Sequence, residues 1–130
     1  MAKSLILTSN YNAQVLDVNN IIELGQVVRR FGQNLRLDAS AINARGAGYY
    51  KVDANVQLLG TTAGITKITM LKDGVPYAER QVSLDVAQVA VVPIDTVVRV
   101  YSNCDSCSIS FRLDDVAQTV TDIAVVVTKE

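Results

Sequence analysis

The sequence predicts an all-β protein, built as a sandwich or barrel of about eight to ten antiparallel strands. The even positions of residues 50–58 are apolar and the odd positions are polar, which is the pattern of a strand with one buried apolar face and one polar face towards solvent. Turn signals recur roughly every ten residues, as in sandwiches and barrels. No segment shows the periodicity of a long helix. With 130 residues, the chain fits one domain around one core.

The first part of the chain carries weak strand signals. Residues 4–9 predict a short strand, residues 10–12 a turn and residues 13–18 a second extended segment. The apolar stretch 21–25 is predicted to be a strand or a loop, because its two β-branched residues and Gly25 disfavour a helix. Residues 1–25 are therefore expected to form either an N-terminal strand or an arm outside the core.

Strand signals become regular after residue 26. Segments 27–32, 34–38 and 41–44 read as short strands, and glycines 46 and 48 mark bends or close backbone approaches before the strand 49–59. Residues 60–64 form a loop, and Asp73 and Gly74 join strands 65–71 and 75–84 in a hairpin. Pro76 cannot donate a ladder hydrogen bond, which places the returning strand at an edge or makes its start irregular.

Six segments complete the predicted order. Residues 86–92 form an apolar run that Pro93 closes, and residues 96–102 form another strand. A polar tip is predicted at 103–106, a strand at 108–113 and a last strand at 120–128, with residues 114–119 as a loop or a single helical turn between them. This prediction therefore ends one strand just before Pro93 and begins a separate strand after it.

The composition of the chain excludes some classes of function and favours others. Hydrophobic residues make up 49% of the chain and charged residues only 19%, which predicts that another subunit covers part of the surface. A formal net charge of -1 offers no electrostatic footprint for nucleic acid. No apolar run is long enough for membrane insertion, and the start lacks the long apolar core of a signal peptide. The protein is expected to be made in a cytoplasm.

Few residues are candidates for chemistry. The chain has no histidine, which excludes Ser-His-Asp triads and most zinc enzymes. Asp114 and Asp115 form the only adjacent carboxylate pair, and a charged turn is the favoured interpretation. Cys104 and Cys107 have the spacing of a redox dithiol or half a zinc site, but the chain supplies no further ligands. Free thiols or a disulfide are the alternatives. No catalytic residue, metal or cofactor is predicted.

Two groups of side chains remain as binding candidates. Arg29, Arg30 and Arg36 form the only basic concentration, and they suit a solvated edge or one side of an intersubunit ion pair. Contact with an anion or with sialic acid is the alternative, because arginine binds carboxylates through two hydrogen bonds. Tyr50 is expected in the core with its hydroxyl at the rim, whereas Tyr49 faces the other way and suits an interface or a ligand.

Residues 46–56, Gly-Ala-Gly-Tyr-Tyr-Lys-Val-Asp-Ala-Asn-Val, resemble the Gly-x-Tyr-x-Phe/Val strand of the globular heads of complement and collagen-like proteins, which are tumour-necrosis-factor-like jelly rolls. Residues 41–44, 72–76, 93–97 and 122–126 are similar to further segments of that family, in the same order. The closing strand lacks the usual Phe-Ser-Gly, and Pro93 and Ile94 replace a Lys-Gly turn. The resemblance implies an antiparallel jelly-roll sandwich that assembles as a homotrimer.

The implied trimer gives roles to two sets of residues. The odd-numbered row of the 49–59 strand is expected to pack against a neighbouring subunit, so that charge reversal at Lys51 or Asp53 weakens assembly. The loops near 60–64 and 101–106 are expected to contact a host surface or a ligand. The intersubunit candidates are Tyr49, Lys51, Asp53, Asn55 and Gln57, and the loop candidates are Thr61, Thr62, Tyr101, Asn103 and Asp105.

Residues 24–37 and the Gly-Tyr-Tyr that follows them are similar to small proteins encoded beside phage head and tail genes. That resemblance implies a non-enzymatic virion protein, such as a head fibre or a capsid decoration protein, made in the bacterial cytoplasm. Its expected partners are itself, capsid or tail proteins, and a host-surface glycan or protein for host attachment. The alternative function is a carbohydrate- or receptor-binding module of a bacterial surface protein. An enzyme that uses Asp114 or Asp115 is disfavoured by the missing histidines.

Overall fold

The computed structural model describes residues 3–101 and 106–130 of the chain. These residues form eleven strands and no helix, so the predicted all-β class is confirmed, with short strands raising the count above the expected eight to ten. No helix in the described part of the chain is long and apolar enough to cross a membrane. The strands are β1 (Ser4–Asn10), β2 (Gln14–Leu16), β3 (Gln26–Phe31), β4 (Leu35–Asp38), β5 (Ala41–Arg45), β6 (Gly48–Leu59), β7 (Gly64–Lys72), β8 (Val75–Leu84), β9 (Val89–Val100), β10 (Ser106–Asp114) and β11 (Gln118–Lys129).

The strands form two sheets with antiparallel pairing throughout. The first sheet has the order β3-β1-β11-β6-β9, with β2 paired to β11, and the second sheet has the order β4-β5-β10-β7-β8. The chain crosses between the sheets after β3, β5, β6, β8, β9 and β10. Repeated crossing of this kind closes a jelly-roll sandwich, because sequence neighbours come to lie in opposite layers.

The core lies between the two sheets and is filled mainly by aliphatic side chains. On β6 the even-numbered residues from Tyr50 to Leu58 are buried, as the alternation predicts, while the odd-numbered residues point away from the core. The second sheet contributes a matching row of buried residues, since its strands also alternate. The fully buried contributions from β7 and β10 include Ile68, Met70, Ile109, Phe111 and Leu113.

The N-terminal segment is integrated into the sandwich over its described residues. Strand β1 lies between β3 and β11, and it pairs with β11 along its whole length. Ile22 and Leu24 are fully buried, and the backbone N–H of Ile22 donates to the carbonyl oxygen of Phe111 at 2.8 Å. The segment between β2 and β3 is therefore held beside β10 by apolar burial and backbone hydrogen bonds.

The hairpin between β7 and β8 follows its sequence signal. Asp73 and Gly74 have positive φ angles of 53° and 79°, the combination that a tight two-residue hairpin turn requires. Strand β8 is an edge strand, as Pro76 predicts, and the register shifts opposite it between Met70 and Leu71. The edge tolerates a proline because one side of the strand needs no ladder partner.

The predicted break at Pro93 is wrong. Strand β9 runs without interruption from Val89 to Val100, and Pro93 lies directly opposite Asn55 of β6. Strand β9 is the edge strand of the first sheet, so the missing N–H of proline can lie on the unpaired side. The residues just before β9, which are predicted as strand, form a turn around Ala87, whose φ is 67°.

Candidate functional site

The face of the first sheet that points away from the core carries the predicted intersubunit row. We call this surface the open face. On β6, Tyr49, Lys51 and Asn55 are exposed, while Asp53 and Gln57 are half-buried between their strand neighbours. The register adds residues from three more strands to the same face: Leu5, Leu7 and Ser9 of β1, Ala124, Val126 and Thr128 of β11, and Val91, Pro93, Asp95 and Val97 of β9. The predicted row is thus the middle of a larger surface.

The open face is unusually apolar for an exposed surface. Val91 is 58% exposed and Val97 is 50% exposed, and both belong to the same edge strand β9. At the opposite edge of the sheet, Val28 and Phe31 of β3 are also exposed. Clustered exposed aliphatic side chains mark interaction surfaces more often than free surfaces. A depression of about 210 Å³ lies on this face, lined by Asn55, Gln57, Val91, Asp122 and Ala124.

Charges on the open face are distributed unevenly. Asp53 lies directly opposite Asp95 across the β6 and β9 pair, a placement that is destabilising for like charges. Lys51 Nζ is 4.0 Å from Asp53 Oδ2, and no ion pair to Asp95 occurs among the described residues. The same cross-sheet row continues through Val126 and Leu7 and ends at Arg29 of β3. One row therefore has two carboxylates at one end and a guanidinium at the other.

Tyrosine rings and cationic side chains alternate along the edge where β9 meets the second sheet, and we call this row the tyrosine–cation ladder. The Arg99 guanidinium lies 5.3 Å from the ring centre of Tyr49 and 4.7 Å from that of Tyr101. Lys72 Nζ lies 5.7 Å from the Tyr101 ring and 5.9 Å from the Tyr77 ring. Such cation–π contacts contribute about 0.5–1 kcal/mol each at exposed sites. Arg99 thus contacts both predicted binding tyrosines, Tyr49 and Tyr101, and brings them into one cluster.

The predicted loop residues do not share one surface. Thr61 and Thr62 follow β6, whereas Tyr101 follows β9, and the antiparallel pairing of these strands places their C-terminal ends at opposite ends of the sandwich. Asn103 and Asp105 lie outside the described residues. The buried Gln118 side chain holds the first loop: its Oε1 accepts from the N–H groups of Thr61 at 2.7 Å and Thr62 at 3.2 Å. The loop at Thr61 is thus held by hydrogen bonds to a side chain in the protein interior.

The Gly-Tyr-Tyr segment has a structural role at the end of β6. The Tyr50 ring is buried, and its hydroxyl shares its one hydrogen between the carbonyl oxygens of Arg45 and Gly46, each 2.8 Å away, which holds the β5–β6 bend in place. Burial, and then the nearby Cys107, raise the pKa of Tyr50 above its ordinary value. Cys107 is buried in β10, while Cys104 lies outside the described residues, so their disulfide stays a prediction.

The adjacent carboxylates Asp114 and Asp115 have different surroundings. Asp114 is only 4% exposed, and Arg112 binds it through Nε to Oδ1 at 2.7 Å and Nη2 to Oδ2 at 3.1 Å. The Thr69 hydroxyl donates to Oδ2 as well. Burial alone would raise the pKa of Asp114, but the bonds from Arg112 and Thr69 and the charges of Arg112 and Lys67 lower it overall. Asp115 lies in the following turn with a φ of 75°. The geometry is that of a structural ion pair.

The three predicted arginines separate onto two surfaces. Arg29 pairs with Leu7 and points to the open face, whereas Arg30 pairs with Ile6 and points the other way, where its Nε donates to the Leu35 carbonyl oxygen at 2.6 Å. Arg36 of β4 is exposed on the second sheet. Arg29 thus belongs to the open face, and the other two lie along β4.

Three functional features are not identified by the sequence patterns. The exposed valines of β9 are hidden by the break predicted at Pro93, although Val89, Val91 and Val97 are all odd-numbered and so share a face. Arg45 lies beside Arg36 only through the β4–β5 pairing. The Gln118 side chain accepts a hydrogen bond from the backbone of Thr61, which lies 57 positions earlier in the sequence. No local signal could have found the last two.

Comparison with known proteins identifies the fold. No protein-family model matches the chain, and no curated protein matches its sequence. Among solved structures, murine APRIL matches with a TM-score of 0.77 at 13% identity, covering 98% of both chains. The globular domain of zebrafish complement 1qA matches with a TM-score of 0.73 at 6% identity, covering 95% of both chains. PRD1 vertex protein P5 matches with a TM-score of 0.63 at 14% identity, covering 99% of this chain and 98% of that chain. The chain therefore has the jelly-roll fold of the tumour-necrosis-factor-like and complement-head structures, as its sequence resemblance implies.

Proposed function

We propose that this protein is a non-enzymatic structural protein of a phage virion, where it forms a homotrimer attached to the capsid or tail as a head fibre or decoration protein. The observation that carries the proposal is the open face, an exposed sheet surface with apolar edges and an unbalanced row of charges. The fold shared with PRD1 vertex protein P5 and the sequence resemblance to head-fibre proteins support the virion location.

The apolar part of the open face supplies the driving force for assembly. Fully burying one valine side chain contributes about 1.5–3 kcal/mol, whereas association costs an estimated 4–15 kcal/mol. Several apolar side chains must therefore be covered together, and β9 presents Val89, Val91 and Val97 on one side. The exposed Val28 and Phe31 of β3 lie at the other edge of the same sheet. Two separate apolar edges suit a ring of copies in which different edges meet.

The charged row supports the same arrangement and sets its register. Around a threefold axis parallel to the strands, residues at the same height of the sheet come together. Arg29 at the β3 end of one copy would then meet Asp53 and Asp95 at the β9 end of the next. This contact offsets the repulsion between the two carboxylates, which each isolated subunit retains.

The remaining surface suits attachment. The Thr61–Thr62 loop and Tyr101 lie at opposite ends of the sandwich, so one end is available to a capsid or tail protein and the other to a host-surface glycan or protein. The tyrosine–cation ladder at the Tyr101 end provides fixed aromatic rings for such a contact. The virion role predicts capsid or tail genes beside this gene, and flanking metabolic genes would contradict it.

Charge reversal tests the assembly. Asp95→Arg would place a cation beside Arg29 of the neighbouring subunit, and Arg29→Asp would place a third carboxylate beside two others. Each single variant should raise the dissociation constant of the trimer roughly tenfold or more, and the double variant should recover most of the loss. Light scattering on a sizing column at micromolar concentration measures the change.

The matched control is Arg80→Asp, which reverses an exposed arginine on β8 of the second sheet. It should leave the trimer intact. Asp95→Arg also removes the like-charge pair within one subunit, so the isolated subunit should stay folded. If both single variants remain trimeric at every concentration tested, the open face is not the interface.

A further inference from the structure

A polar groove runs along β4 on the outer side of the second sheet, away from the open face. Its larger part encloses about 400 Å³, within the size range of small-ligand sites. Leu35 and Ile42 point into the core, so their neighbours Arg36 and Asn43, which lie directly opposite each other, point outward into this groove. Arg45 follows on the same side of β5, two residues further along. The groove is therefore built on two paired strands.

The two arginines of the groove have no carboxylate partner among the residues that the structure describes. Among the described residues, no ion pair within 4.0 Å involves Arg36 or Arg45. Among the described lining residues Asp38 is the one acidic side chain, and its Oδ2 accepts from Asn43 Nδ2 at 3.5 Å instead of binding an arginine. Two guanidinium groups thus converge on one cavity without compensation from within the groove.

The wall beside Arg45 is held in place. Asn34 Nδ2 donates to the Arg45 carbonyl oxygen at 2.7 Å, and the Tyr50 hydroxyl donates to the same oxygen at 2.8 Å. Asn34 Oδ1 in turn accepts from the Ser4 hydroxyl at 2.7 Å. These bonds fix the backbone that carries Arg45, so that less conformational freedom is lost when a ligand binds.

The groove continues past Arg36. An adjoining cavity of about 260 Å³ is lined by Val27, Arg30, Arg36 and Leu37, and it shares Arg36 and Leu37 with the larger part. Arg30 is held along β4 by its bond to the Leu35 carbonyl oxygen. Three arginines and one aspartate therefore line a continuous track, on a chain whose formal net charge is -1.

We propose that this groove binds an acidic polysaccharide, with a sugar carboxylate between Arg36 and Arg45. Guanidinium groups recognise carboxylates through paired hydrogen bonds, and the amides of Gln33 and Asn43 are placed to bind sugar hydroxyls. The continuation past Arg36 to Arg30 favours a chain of several charged sugars over a single small anion. The described part of the lining contains no aromatic ring, which disfavours a single-stranded nucleic acid. The part of the groove that holds Arg36 and Arg45 lies along β4 and β5 of the second sheet and does not depend on the proposed trimer, whereas its continuation includes Val27 and Arg30 of β3.

Titration with matched sugars tests this site. The probes are a short oligogalacturonate, a short sialic acid oligomer, and the methyl ester of the oligogalacturonate, in which the charge is removed. At least one acidic oligomer should bind at low salt, and the methyl ester should not. Isothermal titration calorimetry on the full chain measures the affinity, and binding should weaken as salt is raised.

Variants locate the bound sugar. Arg36→Gln and Arg45→Gln should each weaken binding about tenfold or more, because each removes a charge-assisted hydrogen bond. Arg80→Gln, on the far edge of the same sheet, should bind as the unchanged protein does. Circular dichroism should show that all three variants are folded, since the substituted side chains are exposed.

Three results would overturn the proposal. The first is the absence of binding to either acidic oligomer at millimolar concentration. The second is equal binding of inorganic sulfate, which would reduce the groove to a simple anion site. The third is tighter binding of a single-stranded DNA oligonucleotide that also depends on Arg36 and Arg45.

Discussion

Replacing Arg112 with methionine should lower the free energy of unfolding by about 3–5 kcal/mol at neutral pH. Among the described residues, the variant leaves the Asp114 carboxylate, which is 4% exposed, with the Thr69 hydroxyl as its one side-chain hydrogen-bond donor. Removing one member of a buried ion pair is costly because the remaining charge stays out of water. Urea denaturation of both proteins measures the difference.

The pH dependence of this loss identifies its cause. The folded-state pKa of Asp114 lies below its unfolded value of about 4, so the ion pair stabilises the native protein above that pH, and this contribution is lost as the pH falls through the folded pKa. Without Arg112, burial acts against the charged carboxylate, and protonation relieves the cost. The gap between the variant and the unchanged protein should therefore narrow as the pH falls from 7 towards 3.

A matched substitution serves as control for Arg112. Arg80→Met removes an exposed arginine of β8 and should change stability by less than about 0.5 kcal/mol at any of these pH values. If Arg112→Met costs no more than this control, or if its cost does not vary with pH, the ion pair does not stabilise the fold as described.

Replacing Gln118 with methionine should cost about 2–4 kcal/mol. The variant keeps the length of the side chain but removes its bonds to the backbone of Thr61 and Thr62, and its bond to the Thr66 hydroxyl at 2.9 Å. Each buried polar group left without a partner costs about 1–3 kcal/mol. Denaturation gives the total, and amide hydrogen exchange at Thr61 and Thr62 should become faster than in the unchanged protein.

Gln81→Met provides the comparison for Gln118, because Gln81 is exposed on β8. It should be close to neutral. A cost below 1 kcal/mol for Gln118→Met, or unchanged exchange at the loop, would mean that the loop does not depend on this side chain.

The parts of the fold that follow local patterns are predictable from sequence. Alternation identifies both faces of β6, and Asp73 with Gly74 identifies the hairpin, because side-chain direction and turn geometry are set within a few residues. Pro76 identifies an edge strand correctly. Pro93 misleads because an edge strand tolerates proline at positions that need no ladder bond, and only the sheet order reveals that β9 is an edge.

The candidate sites depend on strand register, which the sequence does not display. The opposition of Asp53 and Asp95 and the position of Arg29 on the same row arise from four separate strand pairings. Arg36 and Arg45 share a groove only because β4 pairs with β5. A shift of one residue in any of these pairings would turn the side chains to the other face. The sequence thus identifies which charged side chains are present. Which of them come together at one site is decided by how the strands pair in the fold.

Sedimentation equilibrium across micromolar concentrations tests the central claim, the homotrimer built on the open face, most directly. The proposal predicts one species with three times the 14.0 kDa mass of the chain. A species of single-chain mass throughout this concentration range would contradict it.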